Sequence, residues 1–270
     1  MSLFFMLEAS MRQLFLVLGL LLLPIFSGNC LAADKTSKPK TIVWQGTVPV
    51  AKTFTVPKGT TLEVRPGTKV VLAKGVSLVV QGALQAVGQT GKEIIFTSKG
   101  KKNASGRWHE IMFEEAAESR MEHCIVESAQ WGVHSHETRL SVIGCTFRGG
   151  DVGLRFRGGP LSIRQSRFTD NGIGLRSYQG EGSIAECEFT ENEIGIFVRE
   201  KGSGLTITRS NLFGNRAYNI RVGDFNDEDV QASENWWGGN GPAATIFDGR
   251  NEPGVGRVLF EPFSRERLAL

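Results

Sequence analysis

An all-β solenoid, a right-handed single-stranded parallel β-helix with coils of about 21 residues, is predicted by three observations. First, short phrases recur. Cys124-Ile125-Val126, Cys145-Thr146-Phe147, Ser166-Arg167-Phe168 and Cys187-Glu188-Phe189 each begin 21 residues after the one before, and Asn211-Leu212-Phe213 and Asn235-Trp236-Trp237 follow after 24 each. Second, a glycine between apolar residues comes downstream of each phrase: Trp131-Gly132-Val133, Val152-Gly153-Leu154, Ile173-Gly174-Leu175 and Ile194-Gly195-Ile196, with Tyr218-Asn219-Ile220 carrying Asn instead. Third, an alternating apolar segment lies upstream, at Leu140 and Val142, Leu161 and Ile163, Ile184, then Leu205 and Ile207.

Alternation at period two means strands with one buried face. Segments this short bury little alone, so they become stable only when each coil lies on the last and parallel strands bond coil to coil at about 4.8 Å. Helical repeats are excluded because no coil holds an apolar i, i+3, i+4, i+7 run, and a propeller blade needs about 40 residues or more. Stacking predicts one internal column of Val126, Phe147, Phe168, Phe189, Phe213 and Trp237. The glycine column implies either positive φ or close backbone approach at a bend. Asn171 and Asn192 are expected to form an asparagine ladder, with Asn215 one place off. Wider first coils run from Thr41 to Phe113, interrupted by a polar excursion over 97–107. The Gly-Pro-rich stretch from about 235 is expected to cap the open end.

Domain organisation follows. Leu14 to Phe26 is apolar apart from Gly19 and Pro24, behind Arg12 and before the small residues Ser27, Gly28, Ala32 and Ala33. This pattern predicts a signal peptide over 1–33. At about 1.5 Å per residue the run is too short for a bilayer core of about 30 Å, so the mature chain has no predicted transmembrane segment. Cys30 suggests a lipoprotein, but Ser27-Gly28-Asn29 makes a poor lipobox. A flexible leader over 34–40, the β-helix over 41–263 and a tail over 264–270 complete the division. The expected location is the periplasm or the exterior. A net charge of +3 gives no argument for a nucleic-acid partner.

From Val43 to Phe263 the chain resembles bacterial exported right-handed β-helix repeat proteins of the pectate-lyase-like superfamily. The resemblance is carried by Leu62-Glu63-Val64-Arg65-Pro66-Gly67-Thr68, Gly82-Ala83-Leu84-Gln85-Ala86-Val87-Gly88, Ile95-Phe96-Thr97-Ser98 with Trp108, Asn235-Trp236-Trp237-Gly238 and Ile246-Phe247-Asp248-Gly249. It implies the fold and a broad choice of roles: polysaccharide lyase, hydrolase, carbohydrate-binding module or periplasmic metal-handling accessory. Fold alone does not choose among them.

Because residues one coil apart are neighbours, candidate sites are read as columns. After each glycine, outward positions read His134, Arg155, Arg176, Phe197, Arg221, and two residues on His136, Arg157, Tyr178, Arg199. Stacked like charges repel unless acids or a ligand offset them. Arginine forks bind carboxylate or sulfate oxygens, and aromatic rings give apolar surface to sugar faces. A polysaccharide or envelope glycan is the partner this predicts, bound without catalysis. The alternative is an ordinary solvated face neutralised by Glu181, Glu186 or Glu200. For glycosidic cleavage the candidate pair is Asp170 and Glu191, at the same turn of successive coils. His134 and His136, two apart on one strand, have a metal-chelating spacing. Asp224, Asp227, Glu228 and Asp229 could take calcium, though no cofactor is required and the spacing matches no recognised loop. Cys124 and Cys145 fall within disulfide range if their Cβ vectors cooperate; otherwise they fill the stack with Cys187 as small hydrophobes.

Overall fold

In a computed structural model, residues 40–99 and 107–269 are described and form a right-handed parallel β-helix with almost no helical content. The expected signal peptide, the expected leader up to residue 39 and residues 100–106 lie outside the described residues. Lys40, assigned to the leader from sequence, begins the first strand, Lys40–Trp44. The polar excursion is also shorter than expected. Thr97 and Ser98 belong to the strand Ile94–Ser98, where Thr97 Oγ1 donates 2.8 Å to Glu127 Oε1.

Three parallel sheets make up the walls. Sheet A has ten strands from Lys40–Trp44 to Val258–Leu259, sheet B eight from Thr47–Val50 to Asn211–Phe213, and sheet C nine from Phe54–Val56 to Ile246–Phe247. Each strand pairs with its counterpart one coil on, as in Leu140↔Leu161, Phe147↔Phe168 and Leu154↔Leu175. Alternate residues therefore stack inside a single core.

The internal column confirms all but one of its expected members. Phe147 stacks on Phe168 at 4.7 Å between centroids and Phe168 on Phe189 at 4.6 Å, nearly coplanar in both cases. The next rung is Leu212, because Phe189 pairs with Leu212 and Thr190 with Phe213. The added residues of the longer coil fall partly after the second sheet, so the step there is 23 and a one-residue slip turns Phe213 outward onto Trp236. The same correction puts Asn215 in register rather than one place off. Asn171 N–H donates to Asn192 Oδ1, and Asn192 N–H to Asn215 Oδ1, both at 3.1 Å.

Bends between sheets share one device. The residue at the corner is left-handed, for example Gln165 (φ 50), Asp170 (φ 54), Glu186 (φ 57) and Glu191 (φ 58). The residue after it offers a side-chain acceptor to the previous coil: Ser166 Oγ to Cys145 N at 3.1 Å, Ser210 Oγ to Cys187 N at 3.0 Å, Asn235 Oδ1 to Ser210 N at 2.8 Å. These bonds hold backbone groups that the sheets leave open. Cys124, Cys145 and Cys187 are free, buried thiols in this ladder. The glycine column, by contrast, works by close approach. A Cβ on Gly174 would stand 2.6 Å from Gly195 O and 3.2 Å from the Phe189 ring, and its φ is not positive.

Candidate functional site

The outward columns of sheet C assemble as the spacing implies. His134↔Arg155↔Arg176↔Phe197↔Arg221 and His136↔Arg157↔Tyr178↔Arg199 are in register on consecutive strands. His134, His136, Arg155, Arg157, Arg176, Tyr178 and Arg199 line a shallow depression of about 270 Å³.

At one end the depression rests on Glu110, a buried carboxylate of the strand Trp108–Glu114. Its Oε2 lies 2.9 Å from His134 Nδ1 and 3.6 Å from Arg155 Nη2, and its Oε1 3.3 Å from His109 Nδ1. Arg155 Nη2 is also 2.8 Å from His134 Nδ1, so that nitrogen serves Glu110 as an N–H or Arg155 as a bare acceptor, not both. Burial pushes the Glu110 carboxyl up, but the hydrogen bond and charge of His134, with His109 and Arg155, outweigh it and hold the group below its usual range. The Arg155 guanidinium lies 3.7 Å from the centre of the Trp131 ring, and its pKa is lowered by burial against the raising effect of Glu110.

At the other end Arg199 pairs with Glu200 at 2.8 Å and Asp224 at 2.9 Å. Glu200 is the one expected neutraliser that joins the face; Glu186 pairs instead with Arg164 and Arg209. Between the two ends the cations outnumber the acids. Among the described residues, Arg157, Arg176 and Arg221 have no ion-pair partner. Each lies over a ring: Arg157 5.3 Å from Tyr178, Arg176 5.9 Å from Phe197, Arg221 5.2 Å from Phe197 and 5.4 Å from Phe247. The buried Nε donors of Arg155, Arg199 and Arg221 have no hydrogen-bond acceptor, the Arg199–Asp224 approach being an ion pair without hydrogen-bond geometry. Guanidinium groups cover Phe197, which is only 8% exposed.

The remaining candidates lie apart or lack companions. Asp170 and Glu191 are exposed corner residues between sheets B and C; Glu191 Oε2 accepts from Thr169 Oγ1 at 3.2 Å, and neither carboxylate lines the depression. The rings of His134 and His136 are 4.2 Å apart, edge to face, but Arg155 and Arg157 are the next residues in their columns. Burial first, then the positive field of His134, Arg155 and Arg157, keeps the His136 pKa below the ordinary value. No group of three or more His, Cys, Asp or Glu able to hold a metal occurs among the described residues. In the acidic run, Asp224 turns to Arg199 and Asp229 Oδ1 accepts from Arg257 N at 2.8 Å. The sequence reading missed Glu110 and Trp131, which pair with each other just where a bulge interrupts the register between Trp131 and Val133.

Residues 131–255 match the family described as "Right handed beta helix region". No curated protein matches the chain. Among solved structures, a double mutant of a periplasmic alginate epimerase is similar at 14% identity and a TM-score of 0.35, over 73% of this chain and 52% of that one. The A-module of an Azotobacter vinelandii mannuronan C-5 epimerase is similar at 10% identity and a TM-score of 0.27, over 82% of this chain and 91% of that one. The chain thus spans about half the length of the first of these. No helix among the described residues is long and apolar enough to cross a membrane. The described residues thus fold as a right-handed parallel β-helix, and residues 131–255 are similar to the family of that description.

Proposed function

We propose that the mature chain is an exported, non-catalytic protein that binds an acidic polysaccharide or envelope glycan along the outer face of sheet C. The observation that carries this reading is the excess of cations: Arg157, Arg176 and Arg221 lie over aromatic rings with no carboxylate of their own. Stacked cations at about 4.8 Å spacing repel, and a polyanion with one carboxylate or sulfate per sugar offsets that repulsion rung by rung. Arginine supplies forked donors to each anion, and Tyr178 supplies apolar surface for a ring. Export is supported by the apolar run behind Arg12.

The test is binding to immobilised polygalacturonate, alginate, hyaluronan and heparin, with dextran and duplex DNA as controls. At least one acidic polysaccharide should bind, more weakly as salt rises, and the Arg157→Ala, Arg176→Ala double variant should lose at least about tenfold, from charge-assisted bonds of about 1.5–3 kcal/mol each. Retention of no acidic glycan, or equal binding by the double variant, rejects the reading.

A second reading, a carbohydrate-active enzyme, is favoured by one observation. His136, kept neutral by burial and neighbouring cations, and Tyr178 flank Arg157 on adjacent coils. A uronate carboxylate paired with Arg157 would place its ring between an imidazole able to take a proton and a phenol able to give one. Asp170 and Glu191 are the corresponding pair for hydrolysis. Product analysis on every bound glycan separates the cases: unsaturated or epimerised sugar lost in His136→Gln indicates a lyase or epimerase, and new reducing ends lost in Asp170→Asn a hydrolase. A metal-handling role through His134 and His136 would show as zinc or copper binding lost in His136→Ala.

A further inference from the structure

The corners joining sheet C to sheet A lengthen toward the C-terminal end of the solenoid. Three residues separate Arg157 from Leu161 and Tyr178 from Gly182, five separate Arg199 from Leu205, and six separate Gly223 from Val230. These longer corners form a lip beside the column His136, Arg157, Tyr178, Arg199, since that column holds the last outward position before the corner. At the tip of the lip stands Phe225, 87% exposed and the only aromatic residue fully presented to solvent among the described residues.

Its conformation is costly. Asp224 and Phe225 are consecutive left-handed residues, with φ 45 and 67, a region a bulky side chain rarely occupies. Folding gains nothing visible in return, because the exposed ring buries no apolar surface and Gly or Asn would fit the same backbone without the strain. The tip is nevertheless held on both sides. Asp224 O accepts from Glu200 N at 3.0 Å, and Asp224 Oδ2 lies 2.9 Å from Arg199 Nε, which draws the lip toward the basic face. Asn226 is fully buried; its backbone N–H donates to Gly223 O at 3.2 Å, its Nδ2 to Glu228 O at 2.8 Å, and its backbone carbonyl accepts from Gly256 N at 2.9 Å. A strained side chain kept in place by ordered neighbours points to a use outside folding. On sheet C itself Phe197 is sealed beneath three guanidinium groups, so the face has anion-binding forks but little open ring surface.

We infer that Phe225 is a ligand-contacting residue, an aromatic platform that stacks on the sugar unit next to the one held by Tyr178 and Arg199. This rests on the reading of sheet C as an acidic-glycan face and names the place where the bound chain makes its apolar contact. The ligand is accordingly a chain that runs along the solenoid past Arg199, and short fragments held by the arginines alone do not reach the lip.

Calorimetric titration of oligouronates, graded from the disaccharide to the polymer of whichever acidic glycan binds, tests this. Phe225→Ala should bind the disaccharide as wild type does and lose roughly tenfold on the longest chains, the effect of one buried aromatic face. Phe225→Trp should restore the loss. Phe225→Asn should show the same loss with a Tm equal to or above that of wild type, because the strain is relieved. Wild-type affinity of Phe225→Ala at every length, or a lowered Tm for Phe225→Asn, overturns the inference. The Arg157→Ala, Arg176→Ala variant distinguishes the two levels. If it loses binding while Phe225→Ala does not, the platform alone is wrong; if it binds as wild type does, or nothing acidic binds, the face is wrong and the platform with it.

Discussion

At the residue scale, the charge balance of sheet C turns on Glu110, which faces His134, His109 and Arg155 from beneath. Replacing it with Gln leaves two imidazoles and a half-buried guanidinium without their counter-charge. Glu110→Gln is expected to cost about 2 kcal/mol, read by urea unfolding, because removing one member of a buried charge cluster leaves the others uncompensated. His136 carries the pH dependence. Burial and the neighbouring cations hold its folded pKa below the ordinary imidazole value of the unfolded chain. As pH falls below 6.5 the unfolded chain takes up the proton first, and stability declines over that window. A bound polyanion reverses the preference by stabilising the imidazolium. Affinity for an acidic glycan should therefore rise between pH 7 and about 5, and the rise should flatten in His136→Gln. A pH-independent affinity measured by calorimetry would exclude His136 from the contact.

At the scale of the element, the ladders at the bends explain how corners full of left-handed non-glycine residues remain stable. The Asn192 side chain joins five groups: Nδ2 donates to Phe168 O and Thr190 O at 3.0 Å and to Asn215 Oδ1 at 2.9 Å, while Oδ1 accepts from Asn171 N and Asn171 Nδ2. Asn192→Ala orphans several buried partners and is expected to cost about 3 kcal/mol, with a matching fall in Tm. Gly174→Ala should be at least as damaging, since its methyl group meets backbone on the adjacent coil. This level was the most legible from sequence, because a strict period makes every column visible. Where the period changed between Glu188 and Asn211, the reading slipped by one place, and Phe213 was assigned to the core position that Leu212 fills. Two possibilities for the glycine column also stayed open, because a repeat spacing carries no φ angle; the neighbouring carbonyl oxygen decides for close approach.

At the scale of the whole molecule, the solenoid turns a 21-residue repeat into a ruled surface on which chemistry is set by columns. The basic-aromatic face was legible for that reason: its members keep register from His134 to Arg221. The carboxylate at its end was not, because the bulge after Trp131 sets Met112 rather than Glu110 in the His134 column, and Glu110 reaches His134 from outside that column. Phe225 escaped for the opposite reason, since it lies in a corner longer than the regular three residues, where no 21-residue column runs. The cap matters at the same scale. Trp237 and Ile246 close the stack, with buried Asp248 tied to Arg250 at 2.6 Å and to Val258 N at 2.8 Å. A chain ending at residue 234 should expose strand edges and self-associate, visible as a rise in mass by light scattering.

Rung-by-rung binding of an acidic glycan by sheet C can be measured by titrating the mature protein with a polyuronate across a salt series, alongside the Arg157→Ala, Arg176→Ala variant. Binding should weaken as salt rises, with the variant weaker by at least about tenfold and less sensitive to salt. Binding that is insensitive to salt, or equal in the two proteins, would contradict it.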